Sequence, residues 1–448
     1  MDFQSFKKAV IAKAEALGIT EYELYYQSEE SISVSAFQHE MNQFTASTEG
    51  GVCFRCIANG KMGYASTEAL SPDEAEAIVE RARENALVLE AEEAVFLCEG
   101  GKTYKDLNLT PYPLPTTEAL ISTVLSTQEK LYATDKMVID GSSTQGISAR
   151  NCLAIVNSKG LDLQYENNLS GLVVAAVVSD GKEMVNDYQI KLNQLDTIDT
   201  DALTSKAVAG AMRKLGGDVA PTGVCPVVFD PEAMSDLLAT FSSIFSSEAA
   251  QKGLSKLADK EGQVIASPAV TLVDDPFHKE SPMPMPFDAE GCPTSTKFVI
   301  QDGKLNTLLY NLKTAAVAGK ETTGNASKAG YSSSVTVRPF TMYLSGGELT
   351  EADLLQKAGN GVYINSLGGL HAGADPISGD FSLQSAGFLI ENGEKTKAVK
   401  SFTVAGNFYD LLQNIVAVAN NCHLPSAMGV TAFGAPSVLV ENLSIAGK

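Results

Sequence analysis

The sequence is short of the residues that build common catalytic sites. Its 448 residues include only four histidines, and none of them belongs to an H-E-x-x-H zinc pattern. A G-x-S-x-G nucleophile elbow is missing, because the nearest stretch, 141–145, fails at its last position. Neither a G-x-x-x-x-G-K-[ST] phosphate loop nor a dinucleotide fingerprint in the required strand-to-helix context is present. These absences exclude the commonest hydrolase, NTPase and dehydrogenase frameworks.

Positive charge and long apolar runs are also scarce. The chain has 33 Lys and Arg against 54 Asp and Glu, giving a net charge of -21. Such a surface repels phosphate backbones, and the closest candidate for a basic patch, 206–214, holds only three cations on one predicted helix. No window approaches the roughly 18 apolar residues of a membrane span, and the N-terminus lacks a signal-peptide core. We therefore expect a cytoplasmic protein without direct contact to nucleic acid or membrane.

The cysteines and acidic pairs give no clear chemical signal. Seven scattered cysteines are typical of reduced thiols. Cys53 and Cys56 form a C-x-x-C, but they lie three apart in a strand-like run, where they point to opposite faces. Cys422 next to His423, and Asp375 near Asp380, are pairs that a long acidic chain offers by chance. Ordinary structural roles are favoured for each of them when it is taken alone.

The order of predicted elements indicates the fold class. A helix follows the capping residue Asp2, a hairpin turns at Asn59-Gly60, and strands predominate after residue 221. A helix begins at Pro231, and another is predicted over 407–419. Strands and helices do not alternate as βαβ units, which favours an α+β protein with mostly antiparallel sheet. The Gly- and Pro-containing stretch 216–223 predicts two domains, an N-terminal α/β domain over 1–220 and a β-rich domain over 221–448.

The most unusual segment of the sequence runs from 365 to 392. It holds five glycines and His371 and continues into a predicted strand. Clustered glycines permit tight turns and the close approach of another chain. A structural crossover and a functional loop are equally good interpretations at this point.

This segment also carries a resemblance to a known family. The stretch 375–382 (DPISGDFS), followed by 387–393 (GFLIENG), resembles the signature of the TldD/PmbA family, also called the modulator of DNA gyrase family. Supporting similarities lie at 48–67, 287–293 and 441–447, so that the resemblance covers essentially the whole chain. It implies the two domains described above, the second of metallopeptidase type.

The resemblance also implies a division into two branches. The TldD branch carries an H-E-x-x-x-H zinc motif on the first helix of the C-terminal domain and a further Cys ligand near the C-terminus. The TldE/PmbA branch lacks the motif and is thought to pair with a TldD-type chain into one peptidase, which trims unfolded peptides and matures microcin-type precursors. In this sequence the motif aligns with 239–244, where Ala239 and Ile244 cannot ligate zinc and Thr240 cannot replace the glutamate base. The chain resembles the TldE/PmbA branch.

The leading hypothesis is a non-catalytic subunit of a zinc peptidase complex. It needs no cofactor of its own, with zinc expected on a TldD-type partner in a heterodimer, although a homodimer is an alternative. The residues expected to contact peptide substrate or partner come from the glycine-rich loop: His371, Asp375, Ser378, Gly379 and Asp380.

Two other hypotheses stay open. One is an autonomous hydrolase that uses residues such as His371, Asp375 or Cys422. The other is a regulatory protein-binding module, as the gyrase-modulator name suggests.

Overall fold

The structure is a computed structural model. It describes residues 1–89, 96–107, 111–428 and 431–448, and for 425–428 it describes only the backbone. In its described residues, the first half combines four α-helices with one six-stranded antiparallel sheet of order β3-β2-β1-β4-β5-β6. Its elements are α1 Phe3–Ala16, β1 Tyr22–Phe37, β2 Glu40–Ala58, β3 Lys61–Thr67, α2 Pro72–Val88, α3 Thr117–Thr134, β4 Ser143–Asn157, β5 Asp162–Ser179, β6 Met184–Leu192 and α4 Thr200–Met212.

Alternation along the strands gives this sheet two faces with different neighbours. Leu24 of β1 packs among residues of α1 and α2, and Val34 of the same strand packs among residues of α3 and α4. Tyr25, which points to the other face, packs with residues of the second half of the chain, including Phe287. One face therefore carries the helices, and the other joins the two halves of the molecule.

The second half is richer in strands. Its elements are β7 Asp218–Val219, β8 Gly223–Phe229, α5 Pro231–Phe241, α6 Ser247–Gln251, β9 Leu272–Asp274, β10 Lys297–Gln301, β11 Lys304–Leu305, α7 Leu312–Ala318, β12 Ala326–Ser327, β13 Thr336–Val337, β14 Thr341–Leu344, α8 Glu351–Ala358, β15 Gly361–Gly368, α9 Leu370–Gly373, β16 Asp380–Glu391, β17 Glu394–Asn407, α10 Phe408–Gln413, β18 Ile415–Val418, β19 His423–Met428, β20 Thr431–Ala435 and β21 Val438–Ala446.

Two large sheets enclose the core of this half. One has the order β18-β21-β8-β15-β16-β17-β7, and an additional β17–β21 pairing closes five of its strands into a ring. The other has the order β11-β10-β9-β14-β20-β19. Among the strands of the described residues, only β8–β15, β14–β20 and β7–β17 pair in parallel. The predicted α+β class with mostly antiparallel sheet is confirmed.

Helix α5 lies where these sheets meet. It packs against β8 and β15 of the first sheet and against β19 and β20 of the second. Its buried residues, including Leu237 and Phe241, belong to the main core of this half. The position of α5 is therefore fixed by apolar packing on several sides.

The join between the halves lies close to residue 220. Strand β7 pairs with β17 of the second half, and Ala220 is buried in the core of that half. The domain boundary that we placed between 220 and 221 stays a prediction.

No helix among the described residues is both long enough and apolar enough to cross a bilayer.

Candidate functional site

The site begins with helix α5, the first helix of the second half. Asp230 caps it, because its Oδ1 accepts a hydrogen bond from Ala233 N at 2.7 Å, and Pro231 occupies the first helical position. Ala233, Leu237 and Phe241 recur at helical spacing on its buried side. Capping and periodicity, both visible in the sequence, account for the helix.

The residues that align with the zinc motif do not fit a metal ion. Ala239 has no donor atom, and Ile244 is fully buried among apolar side chains. Thr240 uses its hydroxyl to donate a hydrogen bond to the carbonyl of Asp236 at 2.8 Å. A shift in the alignment changes nothing, since 231–251 contains neither His nor Cys. Across the described part of the chain, no group of three or more His, Cys, Asp and Glu side chains could hold a metal ion.

The half-buried side of α5 is acidic. Glu232 and Asp236 lie one turn apart and face β6, where Asp187 and Tyr188 lie. Burial raises the pKa of Glu232, with a further contribution from Asp187, and raises that of Asp236 to about 6. Lys214 forms an ion pair with Asp187 at 2.8 Å. This side of the helix therefore carries carboxyl groups, which lie N-terminal to the positions that align with the zinc motif.

The glycine-rich segment forms a closed loop between α9 and β16. Asp375 N donates to the carbonyl of Asp380 at 2.9 Å, and Gly379 N donates to the carbonyl of Asp375 at 2.8 Å. The side chains of Asp375 and Ser378 turn back on the loop, accepting from Ile377 N and Asp380 N. These polar side chains define the shape of the loop, while Gly379 supplies its left-handed turn at φ 83°.

Residues that the sequence analysis did not single out hold this loop in place. Asn407 Nδ2 donates to the carbonyl of Ser378 and to Asp380 Oδ1, each at 2.8 Å, and the latter bond lowers the pKa of Asp380. Lys256 Nζ donates to the Ser378 carbonyl at 2.6 Å. Tyr409 OH accepts from Lys256 N at 3.1 Å. Of these residues, the sequence pointed only to Asn407, as the start of a predicted helix. Its Oδ1 caps α10 by accepting a hydrogen bond from Tyr409 N.

The loop and α5 are neighbours. Phe241 of α5 stacks on Phe408 with ring centroids 4.6 Å apart, and meets Phe381 edge-on at 6.2 Å. Helix α9, which carries the exposed His371, also packs against α5. The structure thus brings the five predicted loop residues close to the helix that lacks the zinc motif. Their role in contacting substrate or partner stays a prediction.

Cys422 directly precedes β19, and His423 is the first residue of that strand. The Cys422 thiol donates to the carbonyl of Leu344 at 3.3 Å, and burial raises the pKa of this thiol to about 11. His423 Nδ1 lies 3.5 Å from the carbonyl of Asn421. A thiol in this state is a poor nucleophile.

Family models match most of the chain. Residues 222–447 match the C-terminal domain of PmbA/TldA metallopeptidases, residues 22–86 match their domain 1, and residues 111–215 match their central domain. Two of the three models therefore match separate parts of the first half of the chain.

Individual relatives agree with these matches. A solved protein from Thermotoga maritima, named as a candidate modulator of a DNA gyrase, is 31% identical and superposes with a TM-score of 0.88 over 99% of this chain and 100% of that chain. TldE from Thermococcus kodakarensis, at 24% identity, has the same fold with a TM-score of 0.86 over 99% and 100% of the two chains. Metalloprotease PmbA from Escherichia coli O157:H7 is 24% identical, over 93% of this chain and 90% of that protein.

Proposed function

The chain belongs to the PmbA/TldD metallopeptidase family, and from that premise we propose that it is a non-catalytic subunit of a zinc peptidase complex. The observation that carries this proposal is α5. Ala239, Thr240 and Ile244 offer no zinc ligand and no general base at the aligned positions. The zinc would then be held by a TldD-type partner.

The intact architecture supports a role beside that partner. The loop of Asp375, Ser378 and Asp380 is held by several hydrogen bonds, although α5 beside it carries no metal site. Polar loops of defined shape are common where another chain or a substrate is bound. In our proposal, His371 and this loop contact the partner or the peptide near the partner's active site.

The partners of the proposed complex follow from the same argument. A TldD-type chain forms a heterodimer with this one, and a homodimer is the alternative when no such chain is present. The substrate is an unfolded peptide that is trimmed or matured, held in part by main-chain hydrogen bonds at an exposed strand edge. The net charge of -21 makes direct contact with nucleic acid or an anionic membrane unfavourable.

Metal analysis and peptidase assays test the proposal. We expect the purified chain to hold no stoichiometric zinc and to cleave no unfolded peptide. Mixed with a TldD-type chain from the same genome, it should co-elute and support zinc-dependent cleavage. Stoichiometric zinc together with activity in the lone chain would overturn the proposal and favour an autonomous hydrolase.

The predicted loop contacts can be tested in the reconstituted complex. Replacing His371 with Ala, an exposed residue on α9, should weaken assembly or cleavage without changing the stability of the lone chain. Replacing the similarly exposed Gln4, on helix α1 of the first half, with Ala serves as the matched control. Equal effects of the two substitutions on the complex would contradict a specific role of the loop.

A further inference from the structure

Strand β2 has a long open edge. Strand β3 pairs with it only from Val52 to Ala58, while β1 pairs with it from Glu40 to Cys56. Among the described residues, no other strand pairs with the remaining stretch, 40–51, which we call the open edge. At about 3.4 Å per residue, its twelve residues span roughly 40 Å.

The open edge is accessible on both faces as well as along its side. Nearly every residue from 40 to 49 is exposed, including the large apolar side chains of Met41, 47% exposed, and Phe44, 45% exposed. The neighbouring strand β1 is anchored, because Val34 and Ala36 are buried in the core beneath α3. The open edge therefore belongs to a strand that is paired with an anchored neighbour. The backbone N–H and C=O groups on its outer side can pair with another strand.

Most of the features that usually prevent strand addition are missing from 43–51. Natural proteins protect exposed edges with Lys, Pro, bulges or very short strands. The open edge contains neither Lys, Arg nor Pro. Its one irregularity is a bulge at Asn42, between Met41 and Gln43 and close to one end, while 43–51 pair with β1 in regular register. A stretch of this length with so little protection is suited to binding an extended segment by main-chain hydrogen bonds.

Charge identifies the kind of segment. Glu49 lies directly opposite Glu29 of β1, both exposed, and such like-charge pairs destabilise a strand ladder. A Lys or Arg on a strand added beside Glu49 would offset this repulsion. A second copy of this chain fits less well, because antiparallel self-pairing centred between Phe44 and Thr45 would set Glu40 opposite Glu49 of the other copy.

We propose that the open edge of β2 binds an extended, cationic peptide segment by strand addition. That this peptide is a substrate rests on the proposed function. The inference adds the chemical class of the substrate and the place where the protein holds it. Binding itself requires neither zinc nor a partner chain, so that it can be measured on this chain alone.

Fluorescence anisotropy with labelled ten-residue peptides tests the charge preference. Three unstructured peptides of equal length would alternate Thr or Val with Lys, with Glu or with Ser. We expect the full chain to bind the Lys peptide best, and to bind it more weakly as salt is raised. Glu49→Lys should weaken binding by about fivefold, whereas Glu321→Lys, an equal charge change on an exposed loop of the second half, should have little effect.

A proline pair tests the use of the backbone. Consecutive strand residues present their N–H groups to opposite sides of the strand. One of the two variants Thr45→Pro and Ala46→Pro therefore removes an N–H group that points outward from the open edge. The other removes an N–H group that points toward β1 and disrupts the pairing with that strand. The variant that keeps the wild-type melting temperature should lose most of its affinity for the Lys peptide.

Several outcomes would overturn the proposal. These are equal binding of the three peptides, equal effects of Glu49→Lys and Glu321→Lys, or full affinity in the stable proline variant. If the wild-type chain dimerises and the stable proline variant does not, a second copy of the chain occupies the open edge. Failure of these measurements leaves the zinc analysis and the reconstituted peptidase assay unaffected, so that the two proposals fail separately.

Discussion

Gly379 is the residue at which the loop beside α5 is most sensitive to substitution. Its φ is 83°, and a methyl group on it would lie 2.5 Å from Cδ2 of Tyr409 and 2.9 Å from Oδ1 of Asn407. Gly379→Ala combines an unfavourable backbone conformation with a steric clash. We expect it to lower the free energy of unfolding by about 2–4 kcal/mol, measured by urea denaturation.

Gly369 provides the matched control for this substitution. Its φ is 76°, but no atom lies within 4 Å of the position that a methyl group would take. Gly369→Ala should therefore show only the conformational cost, about 1 kcal/mol. Equal losses in the two variants would contradict the packing of Gly379 against Tyr409 and Asn407.

Asp230 gives the protein a pH dependence in the neutral range. Burial raises the pKa of this carboxyl from the ordinary 3.8 to about 7, and the nearby Glu232 and Glu351 add to the effect. The folded state therefore binds the proton more tightly than the unfolded chain, and the stability from this group falls as the pH rises from about 4 to 7. Asp230→Asn removes this titration and keeps the cap, because asparagine caps helices about as well as aspartate.

The variant should accordingly be more stable than the wild type at pH 8, by on the order of 2–4 kcal/mol, since each pKa unit corresponds to about 1.4 kcal/mol. The difference should shrink as the pH is lowered toward 4. Chemical denaturation at a series of pH values measures it. A difference that does not change between pH 4 and pH 8 would contradict the raised pKa of Asp230.

At the scale of elements, the sequence predicted best where the signals are local. Helix α1 begins after Asp2 as expected, and the turn at Asn59-Gly60 has the positive φ angles that a tight hairpin needs. The helix predicted over 407–419 is wrong beyond Gln413, because Ile415–Val418 pairs with β21 instead. Pairing with a strand twenty or more residues away has no local signature.

The same limit applies to the candidate site. The loop residues from His371 to Asp380 could be found because their composition and family pattern are local. Lys256, which holds the loop from 122 residues away, could not. Nor could the buried ion pair of Arg55 with Glu23, 2.8 Å apart, because strand register decides that contact. The open edge of β2 was missed because a strand exposed on both faces has no apolar alternation.

Asn407 joins two elements, and its two functions can be separated. Its Oδ1 caps α10, while its Nδ2 holds the loop through Ser378 and Asp380. Asn407→Asp keeps the acceptor but loses both donor bonds, and Asn407→Ala loses all three. We expect faster amide exchange over 375–380 in both variants. At the start of α10, exchange should become faster only in Asn407→Ala. The free energy of unfolding of Asn407→Ala should fall by about 1–3 kcal/mol.

Hydrogen exchange with mass spectrometry measures these two regions separately. Unchanged protection of 375–380 in Asn407→Asp would show that the donor bonds do not hold the loop. Faster exchange at the start of α10 in that variant would contradict the capping role of Oδ1.

At the scale of the whole molecule, the two halves share a buried cluster. Tyr25, Ile155 and Tyr165 of the first half pack with Met285 and Phe287 of the second. Polar contacts reinforce it, since Tyr104 OH donates to the carbonyl of Gly291 at 2.9 Å. Because apolar surface from both halves is buried in one cluster, we expect the chain to unfold in a single cooperative transition.

Phe287→Ala tests this coupling. The ring is 3% exposed and meets the rings of Tyr104 and Tyr165 edge-on, with centroids 6.1 Å and 6.3 Å away. Its removal should cost about 3–5 kcal/mol and split the calorimetric transition in two, because the cavity lies between the halves. Phe6→Ala, equally large and fully buried within the first half, should cost a similar amount but keep one transition. A single transition in both variants would show that contacts outside this cluster couple the halves.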